Sequence, residues 1–389
     1  MSTDPRSTPA HLDWDPRAPS VQIDQIAAYD AMRARCPVAY SEYLQWSVLT
    51  HADTLRVVDD HATFSNRVSQ HLSVPNGMDP PEHSAFRPVI ERYFDETSMA
   101  AFKPVCRRVA DTLAAALPRT GEAEIMNDYG HPFALDIQCA FMGWPDWMRA
   151  ALEDWMRDNQ RATLSGDRDA TRAVAERFEE TLRRLLDERR AAGNDAPDDA
   201  TTRLLHESID GRALSDQEII SIVRNWTAGE LGTIAASIGI VARRLAIEPE
   251  LQAMLRADRS LLSPAIDEIL RIDPPLITNR RVTTCPVQLG GRDIGAGERI
   301  SVLWASANRD EAVFGDPDVF RLNRDPADNL LYGAGIHVCP GAPLARMELC
   351  EAIGALLEHC PQLALLHDRP PRRAHYPAGG WAEVALRLG

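Results

Sequence analysis

A cysteine surrounded by glycines is the residue of this chain best suited to chemistry. Cys339 lies in the stretch LLYGAGIHVCPGAPLARMEL, between Gly335 and Gly341, and a helical pattern begins beside it near Pro340. Glycines let a backbone approach a flat ligand closely, and amides at a helix start stabilise an anion such as a thiolate. The spacing therefore favours a thiolate that faces a metal. The alternative from these residues alone is a buried, inert cysteine.

An acid and an alcohol stand three residues apart in the longest helical pattern. This pattern runs from Asp216 to about Ala246 and is apolar on most faces, so it belongs in the centre of the protein. Glu230 and Thr233 share one face of such a helix, where they could border a pocket and share a water. The alternatives are that Glu230 faces solvent or an ion pair and that Thr233 bonds back to a helix carbonyl.

The elements that must position these residues are mostly helical. Helical patterns cover residues 21–35, 82–94, 99–117, 145–192, 216–246, 264–271 and a last segment from about residue 340. Strand patterns cover about 43–50 and, with glycine turns, 281–304. These patterns predict a mainly α fold with a minor β portion. Residues 1–20 are expected to form a polar N-terminal arm.

Composition excludes several classes of protein. Lysine and arginine total 42 and aspartate and glutamate total 57, so the net charge is −15 and general nucleic-acid binding is not expected. The seven cysteines include no CxxC pair, which argues against a zinc ribbon and fits reduced thiols. The N-terminus has no signal-peptide pattern, and the apolar stretch 231–242 is too short to span a bilayer. A soluble, cytoplasmic protein without membrane partners is therefore expected.

The cysteine loop resembles the haem-binding loop of cytochromes P-450, whose pattern is Phe-x-x-Gly-x-His/Arg-x-Cys-x-Gly. Tyr332, Gly335, His337, Cys339 and Gly341 stand in those places. The tyrosine is a departure that keeps an aromatic ring near the sulfur but adds a hydroxyl that could alter hydrogen bonding there. The resemblance implies that the cysteine binds the iron of haem b and that the other residues line the cofactor.

Three further segments match the same family in the right order. Glu268 and Arg271 resemble its Glu-x-x-Arg pair and Arg324 its third, arginine member, which implies an ionic unit that holds the cysteine loop. Taken alone, such a pair is usually a solvated helix pair. His83 and Arg87 in DPPEHSAFR resemble the family's His-x-x-x-Arg helix.

The resemblance extends from about residue 36 to the end of the chain and implies a set of propionate-binding residues. With Arg281 and His337, the His-x-x-x-Arg residues match positions that bind the haem propionates, which require a cationic cluster. Each of these residues alone would otherwise be an ordinary surface cation.

The long helix departs from the family pattern Ala/Gly-Gly-x-Asp/Glu-Thr. Counting back from RRLAIEP puts Thr233 in the alcohol position and Gly232 in the acid position, whereas the acid, Glu230, lies three residues before the threonine. The resemblance implies that Thr233 hydrogen-bonds the bound oxygen. Glu230 is then expected to feed protons through water.

The resemblance implies one haem-binding domain over residues 21–389 and the activity of a haem-thiolate monooxygenase that uses O2. Length alone would predict two to three domains, at roughly 150 residues each. The chain is similar to the haem domains of a subgroup fused to its own reductase, but it ends at Gly389. Electrons are therefore expected from a separate ferredoxin with an NAD(P)H-dependent ferredoxin reductase. Arg107, Arg108 and Arg346 are candidates for its docking patch, or are ordinary surface charges.

The substrate pocket is expected where variable segments of the family lie. These are the loop 69–74 with Leu72 and Val74, then Trp226 and 227–229 with Gly229, then Leu276, Ile277 and Thr278. Their types suggest a small, mostly apolar substrate, with aromatic compounds favoured, that undergoes hydroxylation or O-dealkylation. Two alternatives remain. A peroxide-driven peroxygenase of the same fold is disfavoured by the threonine, and a haem sensor or carrier would not need it.

Overall fold

Helices make up most of the chain. The structure, a computed structural model, describes residues 12–69 and 71–389, so residues 1–11 of the predicted arm and Gln70 of the predicted pocket loop lie outside the described residues. The α-helices of this part are α1 Pro19–Ile23, α2 Gln25–Arg35, α3 His51–Asp59, α4 Glu82–Glu91, α5 Glu96–Ala116, α6 His131–Met142, α7 Asp146–Ser165, α8 Arg168–Ala192, α9 Ala200–His206, α10 Asp216–Ile247, α11 Pro249–Ala257, α12 Leu262–Ile272, α13 Trp304–Ala307, α14 Glu311–Phe314 and α15 Ala342–His359.

The strands are short, at most six residues, and lie between and after the helices along the described chain. They are β1 Val38–Ser41, β2 Gln45–Val48, β3 Phe64–Ser65, β4 Gly121–Glu124, β5 Ser208–Ile209, β6 Arg212–Ala213, β7 Thr278–Thr283, β8 Val287–Leu289, β9 Arg292–Ile294, β10 Arg299–Leu303, β11 Leu363–Leu365, β12 Arg372–Arg373, β13 Trp381–Glu383 and β14 Ala385–Leu388. The prediction of a mainly α fold with a minor β portion is confirmed.

Helix α10 is the axis of the helical part and spans 32 residues. Its start is set by a capping box, in which the Ser215 side chain accepts the Glu218 amide and the Glu218 carboxylate accepts the Ser215 amide. Most of its residues are buried, and it packs against α6, α8, α12 and α15. Burial on nearly every side explains its apolar sequence.

The largest sheet carries Arg281, one of the predicted propionate-binding residues. Its strand order is β1-β2-β10-β7-β3, with β10 parallel to β2 and antiparallel to β7. Arg281 of β7 pairs with Ile300 of β10. Because Ile300 also pairs with Trp46 of β2, the strand that carries Arg281 is joined through β10 to the N-terminal strands.

Two predicted segments differ in the structure. The helical pattern 145–192 is two helices, because Gly166 adopts a left-handed φ of 69° that ends α7. The predicted arm is packed from Asp13 onward: its carboxylate pairs with Arg292 at 2.9 Å, and the ring of Trp14 meets Tyr29 edge-on. Helix α1 begins inside the predicted arm.

No helix within residues 12–69 and 71–389 is long and apolar enough to cross a membrane.

Candidate functional site

The Cys339 loop holds its sulfur at the start of α15. The Cys339 amide donates to the Tyr332 carbonyl at 2.8 Å, and a 3-10 turn, Gly335–His337, precedes it. The amide of Gly341 donates to the sulfur and lowers the pKa of the thiol, whereas burial, the larger cause, raises it. Cys339 is nonetheless exposed. The Cys339 residue is therefore accessible, although much of the protein surrounds its sulfur, and one backbone donor can stabilise a thiolate there.

The loop glycines serve packing more than ligand approach. Gly335 has a φ of 68°, and an added Cβ would lie 2.5 Å from the Val58 carbonyl oxygen at the end of α3. Gly341 has an ordinary φ of −82° and ordinary contacts, 3.8 Å to Phe94 and 3.9 Å to the Cys339 sulfur. At Gly335, the close contact that requires glycine is thus made by the end of α3.

The Tyr332 hydroxyl lies near Asp267 of α12. Burial raises the pKa of Asp267, against the opposing effects of Arg346 and then of the Tyr332 hydroxyl. The Arg346 guanidinium lies 4.4 Å from the ring centroid and pairs with Asp267 at 2.8 Å. The tyrosine that replaces the usual phenylalanine therefore has a polar environment of its own beside the loop.

Four nitrogen-bearing side chains meet next to the cysteine loop. The rings of His83 and His337 are 4.3 Å apart, and Arg87 donates to the Ile336 carbonyl at 3.4 Å. Both His83 and His337 have a buried Nε2 without a hydrogen-bond partner among the described residues. Arg281 is 6% exposed.

Arg87 pairs with Glu91 at 2.7 Å, whereas burial dominates the pKa values of the other members of this cluster. Burial and then the neighbouring His83 and Arg281 lower the pKa of His337 to about 3. Burial also lowers the pKa of Arg281 to about 10, against a small opposing effect of Asp79. Such a cluster suits a ligand that brings its own carboxylates.

One face of the buried helix α10 is open. Ala228, Gly229 and Gly232 are exposed, although Thr227 before them and Leu231 between them are buried. A Cβ on either glycine would meet nothing within 4 Å. This face can therefore form one wall of a cleft.

Glu230 and Thr233 have different partners in the structure, and the water predicted to join them stays a prediction. The Thr233 hydroxyl donates to the Gly229 carbonyl, as Thr in a helix often does. The Glu230 carboxyl instead faces Glu348 of α15, and its Oε1 and both Glu348 carboxyl oxygens are buried without a hydrogen-bond partner among the described residues. Burial raises the pKa of Glu230 to about 7. The two side chains share a helix face, but they have different partners.

The ionic unit predicted from Glu268, Arg271 and Arg324 is brought together. Arg271 makes two bonds to the Glu268 carboxylate, at 2.7 and 2.9 Å, and Arg324 a third at 2.9 Å. Arg271 is 1% exposed and Glu268 5%. The unit is therefore a buried salt bridge rather than a solvated helix pair.

A relay of two hydrogen bonds joins this unit to the cysteine loop. Arg271 donates to the Asn308 carbonyl at 2.7 Å, and the Asn308 side chain accepts the Leu330 amide at 2.7 Å. Leu330 is the first residue of the loop stretch. Sequence reasoning missed Asn308, whose buried position after α13 leaves no periodic signal.

Helix α10 holds the loop before α4 through two polar side chains that the sequence did not indicate. The Ser221 hydroxyl accepts the Val74 amide at 2.8 Å and donates to the Leu72 carbonyl at 3.0 Å. Asn225 donates to the Val74 carbonyl at 2.9 Å. The loop backbone, with Leu72 exposed and Val74 buried, is thereby fixed to α10.

Two predicted pocket residues face other parts of the protein. The ring of Trp226 lies 5.2 Å from both Tyr93 and Phe94, in an aromatic cluster beside α5. Ile277 is 1% exposed and packs with Tyr29 and Leu303 behind the sheet. Ile277 is a correction to the predicted lining, because its side chain fills a hydrophobic core, whereas Trp226 is only partly buried and its place in the lining stays a prediction. Gly229 and Leu276 remain exposed.

The predicted basic docking patch is mixed in sign. Arg107 pairs with Asp111 at 2.7 Å and with Glu358, and Arg346 pairs with Asp267. Arg108 is exposed, and within the described residues no ion pair involves it. The surface of α5 and α15 therefore alternates acidic and basic groups.

A family model described as Cytochrome P450 matches residues 154–376. The chain is 32% identical to the cyclomarin C epoxidase CymV of Salinispora arenicola over 330 residues, which cover 80% of this chain and 82% of that protein. It is 30% identical to the erythromycin C-12 hydroxylase of Saccharopolyspora erythraea over 365 residues, 89% of this chain and 90% of that protein.

Solved structures show the same architecture. A mutant of P450 EryK in complex with erythromycin B matches with a TM-score of 0.85 and 27% identity, over 95% of this chain and 97% of that one. CYP109Q5 from Chondromyces apiculatus matches with a TM-score of 0.85 and 26% identity, over 96% of this chain and 98% of that one.

Proposed function

The chain belongs to the cytochrome P450 family, and from that premise we propose which of its residues carry the reaction. It is a cytochrome P450 monooxygenase that acts on a small molecule, and its cofactor is haem b, held by a cysteine thiolate. When bound, haem b supplies the activation of O2. The residues of the chain must hold it, exclude water and deliver protons.

We propose that Cys339 is the iron ligand. The observation that carries this proposal is the buried group beside the Cys339 loop, in which Arg281 has no anionic partner and the Nε2 atoms of His83 and His337 have no hydrogen-bond partner among the described residues. A porphyrin with two carboxylates would supply that partner, and its iron would lie over the sulfur that accepts the Gly341 amide. His83, Arg87, Arg281 and His337 would bind the propionates, and Tyr332, Gly335 and Gly341 would shape the loop. The residues from 21 to 389 would then form one domain around the cofactor.

We propose that Thr233 is the proton-handling alcohol of the open α10 face. Its hydroxyl has one proton, which is now given to the Gly229 carbonyl. Two acceptor positions stay available to a water or substrate oxygen. To donate to oxygen it must break the helix bond, at a net cost of about 1 kcal/mol.

Replacing Thr233 by alanine is expected to divert electrons from product to hydrogen peroxide. We expect the amount of product formed per NAD(P)H to fall roughly tenfold. Loss of a general acid typically costs ~10²–10⁴-fold, and the smaller effect is expected here because the Thr233 hydroxyl also hydrogen-bonds a helix carbonyl. Coupling is measured as product and peroxide formed per NAD(P)H. Ser237→Ala is the matched control, since the Ser237 hydroxyl bonds back to the Thr233 carbonyl at 2.7 Å. Equal coupling in both variants would remove the proposed role.

We propose a small, mostly apolar substrate, with aromatic compounds favoured, oxidised by hydroxylation or O-dealkylation. The open face of α10, formed by Ala228, Gly229 and Gly232, gives the cleft an apolar wall, and these three residues have no polar side chain to recognise a substrate. Several relatives are named for larger molecules, among them erythromycin and vitamin D(3). The same glycines would also leave room for such compounds.

A spectral-shift titration tests the substrate class. The haem-loaded protein is titrated with small aromatics, terpenes and fatty acids, and with erythromycin and testosterone as bulky comparators. A substrate that displaces water from the iron shifts the Soret band. We expect the tightest binding among the aromatics. Tight binding confined to the bulky compounds, or no shift with any aromatic, would contradict the proposed class.

Electrons are proposed to come from a separate ferredoxin and its NAD(P)H-dependent reductase, with the protein in the cytoplasm. The mixed charges on α5 and α15, including Lys103 and Arg107 beside Glu351 and Glu358, offer a partner both signs to pair with. The presence of Thr233 on the open helix face disfavours a peroxide-driven peroxygenase.

A further inference from the structure

A second cleft opens between α5, α6, α9 and the 3-10 turn Arg92–Phe94, and it is here called the α5–α9 cleft. Its volume of about 430 Å³ lies within the ~300–1,000 Å³ that is typical of small-molecule sites. Among the described residues that line it, none is a predicted cofactor or pocket residue. The proposed monooxygenase reaction therefore assigns no role to this cleft.

Aromatic rings form the floor of the α5–α9 cleft. Phe102 of α5 and Phe141 of α6 line it, and their ring centroids are 5.3 Å apart in an edge-to-face arrangement. Both side chains are only partly buried, although they pack against the main hydrophobic core. A concave surface with partly exposed rings suits a flat apolar ligand, because such a ligand covers the rings when it binds.

A layer of aromatic rings lies between this floor and the cysteine loop. Phe141 stacks on Phe94 with the ring centroids 5.7 Å apart, and Phe94 lies 3.8 Å from a Cβ added at Gly341. Phe94 is itself buried. A ligand in the α5–α9 cleft therefore contacts the outer side of this layer, whereas the cysteine loop packs on its inner side.

Two arginines with unused donors lie at the rim of the cleft. Arg92 donates to Glu207 at 2.7 Å, and Arg203 donates to Asp198 at 2.8 Å. A guanidinium has five N–H donors, and neither side chain donates to any other group among the described residues. Both side chains are more than half exposed, at 59% and 56%. Most donors at the rim are therefore available to an anion that enters the cleft.

The carboxylates of the cleft are mostly satisfied by the protein. Glu207 accepts one bond on each oxygen, from Arg92 at 2.7 Å and from the Tyr93 hydroxyl at 3.2 Å. Asp199 also accepts one bond on each oxygen, from a guanidinium and from a backbone amide, both at 2.8 Å. Asp198 has a spare oxygen, but its side chain is 82% exposed to water. Available donors thus outnumber available acceptors, which favours an anionic ligand over a cationic one.

Both arginines act on the same wall of the cleft. Tyr93 lines this wall, and burial and then Glu207 raise the pKa of its hydroxyl. The charges of Arg92 and Arg203 both oppose this rise. The positive potentials of the two guanidiniums therefore overlap near one hydroxyl of the cleft.

We propose that the α5–α9 cleft binds an aromatic carboxylate. The ring of the ligand lies against Phe102 and Phe141, and its carboxylate pairs with the available donors of Arg92 and Arg203, since arginine binds carboxylates through two parallel hydrogen bonds. This site is separate from the haem site and does not depend on the proposed reaction. A ligand bound here is not oxidised, because the ring of Phe94 lies between it and the cysteine loop.

Calorimetric titration of the haem-loaded protein with 2-naphthoate tests the site, with the Soret band followed in the same samples. We expect saturable binding that leaves the Soret band unmoved. The neutral 2-naphthamide and the cationic 2-naphthylmethylamine have the same rings and should bind at least about tenfold more weakly. The proposal is overturned if naphthoate does not bind, if its binding follows a Soret shift at every concentration, or if either analogue binds as tightly.

Substitutions at the rim locate the bound carboxylate. Arg92→Gln and Arg203→Gln each remove an exposed ion pair, which contributes little to folding, and each should weaken naphthoate binding about tenfold or more. Arg177→Gln is the matched control, because Arg177 is 58% exposed and pairs with Asp158 of α7 at 2.9 Å, outside the cleft. It should bind naphthoate as the wild type does. Wild-type affinity in both rim variants would overturn the proposal.

Filling the cleft gives a second test that leaves the arginines in place. Ala101 is an exposed residue of α5 that lines the cleft, so the ring in Ala101→Trp occupies the space of the ligand. Naphthoate binding should be lost, while the carbon monoxide complex keeps the spectrum of the wild type. Ala115→Trp, at an exposed position of the same helix outside the cleft, is the control and should bind normally. Equal binding by the two variants would overturn the proposed site.

Discussion

Replacing Cys339 by serine is expected to abolish monooxygenase activity while leaving the fold intact. A serine hydroxyl stays protonated at neutral pH, so the Gly341 amide has no thiolate to stabilise and the iron loses its electron-donating ligand. Loss of a residue that supports a metal ligand costs about 10–100-fold, and loss of the ligand itself should exceed about 100-fold. Product formation with a ferredoxin system and haem content per chain are the measurements.

A second cysteine of the same region supplies the control for this substitution. Cys350 lies on α15, eleven residues after Cys339, where burial raises its pKa to about 11. Cys350→Ala should retain haem and activity within a few-fold. Activity of Cys339→Ser close to that of Cys350→Ala would contradict the assignment of the iron ligand.

Replacing Arg271 by methionine is expected to destabilise the protein by about 3–5 kcal/mol, because it leaves the buried Glu268 carboxylate without its main partner. Arg271 also donates to the Asn308 and Pro317 carbonyls, at 2.7 and 2.9 Å. Both acceptors lose their donor in the variant. Urea unfolding of the wild type and the variant measures the difference in free energy.

The same substitution should loosen the cysteine loop, since Asn308 holds the Leu330 amide. Arg321→Met is the control, because the Arg321 side chain is half-exposed and pairs only with Asp316 at the surface among the described residues. Its cost should stay within about 1 kcal/mol. If Arg271→Met does not fold, Glu268→Gln tests the same unit. If Arg271→Met and Glu268→Gln were both as stable as Arg321→Met, the structural role of the buried ionic unit would be contradicted.

Local sequence signals predicted the long elements of the fold well. Ser215 and Glu218 indicated the start of α10, and the capping box is present. The C-terminal strands could not be recognised, because β14 has four residues and pairs with β4, more than 250 positions earlier. Such strands are defined by their distant partners rather than by their own pattern.

The sequence predicted which residues gather at the site better than it predicted where side chains point. The spacing of Glu268 and Arg271 predicted that they share one helix face, and Arg324, which only the resemblance indicated, binds the same carboxylate. Trp226 could not be placed in the same way. Because α10 is buried on most sides, helical periodicity does not tell which of its neighbours a side chain meets, and the tryptophan packs beside α5.

Glu230 shows the same limit most clearly. Its distance of three residues from Thr233 is correct for one helix face, but its carboxyl turns to Glu348 on a helix more than 100 residues later. Nothing in the spacing of either glutamate indicates this contact. An acid among the apolar positions of α15, such as Leu344, Leu349 and Ala352, is the only sequence signal that could have marked Glu348.

The absorption spectrum of the reduced, haem-loaded protein with carbon monoxide tests the central claim most directly. A thiolate opposite carbon monoxide moves the Soret band far to the red of the position that histidine or a neutral thiol produces. The account predicts the red-shifted thiolate band in the wild type and its loss in Cys339→Ser. A wild-type complex with the band of a neutral ligand, in folded protein with full haem content, would contradict it.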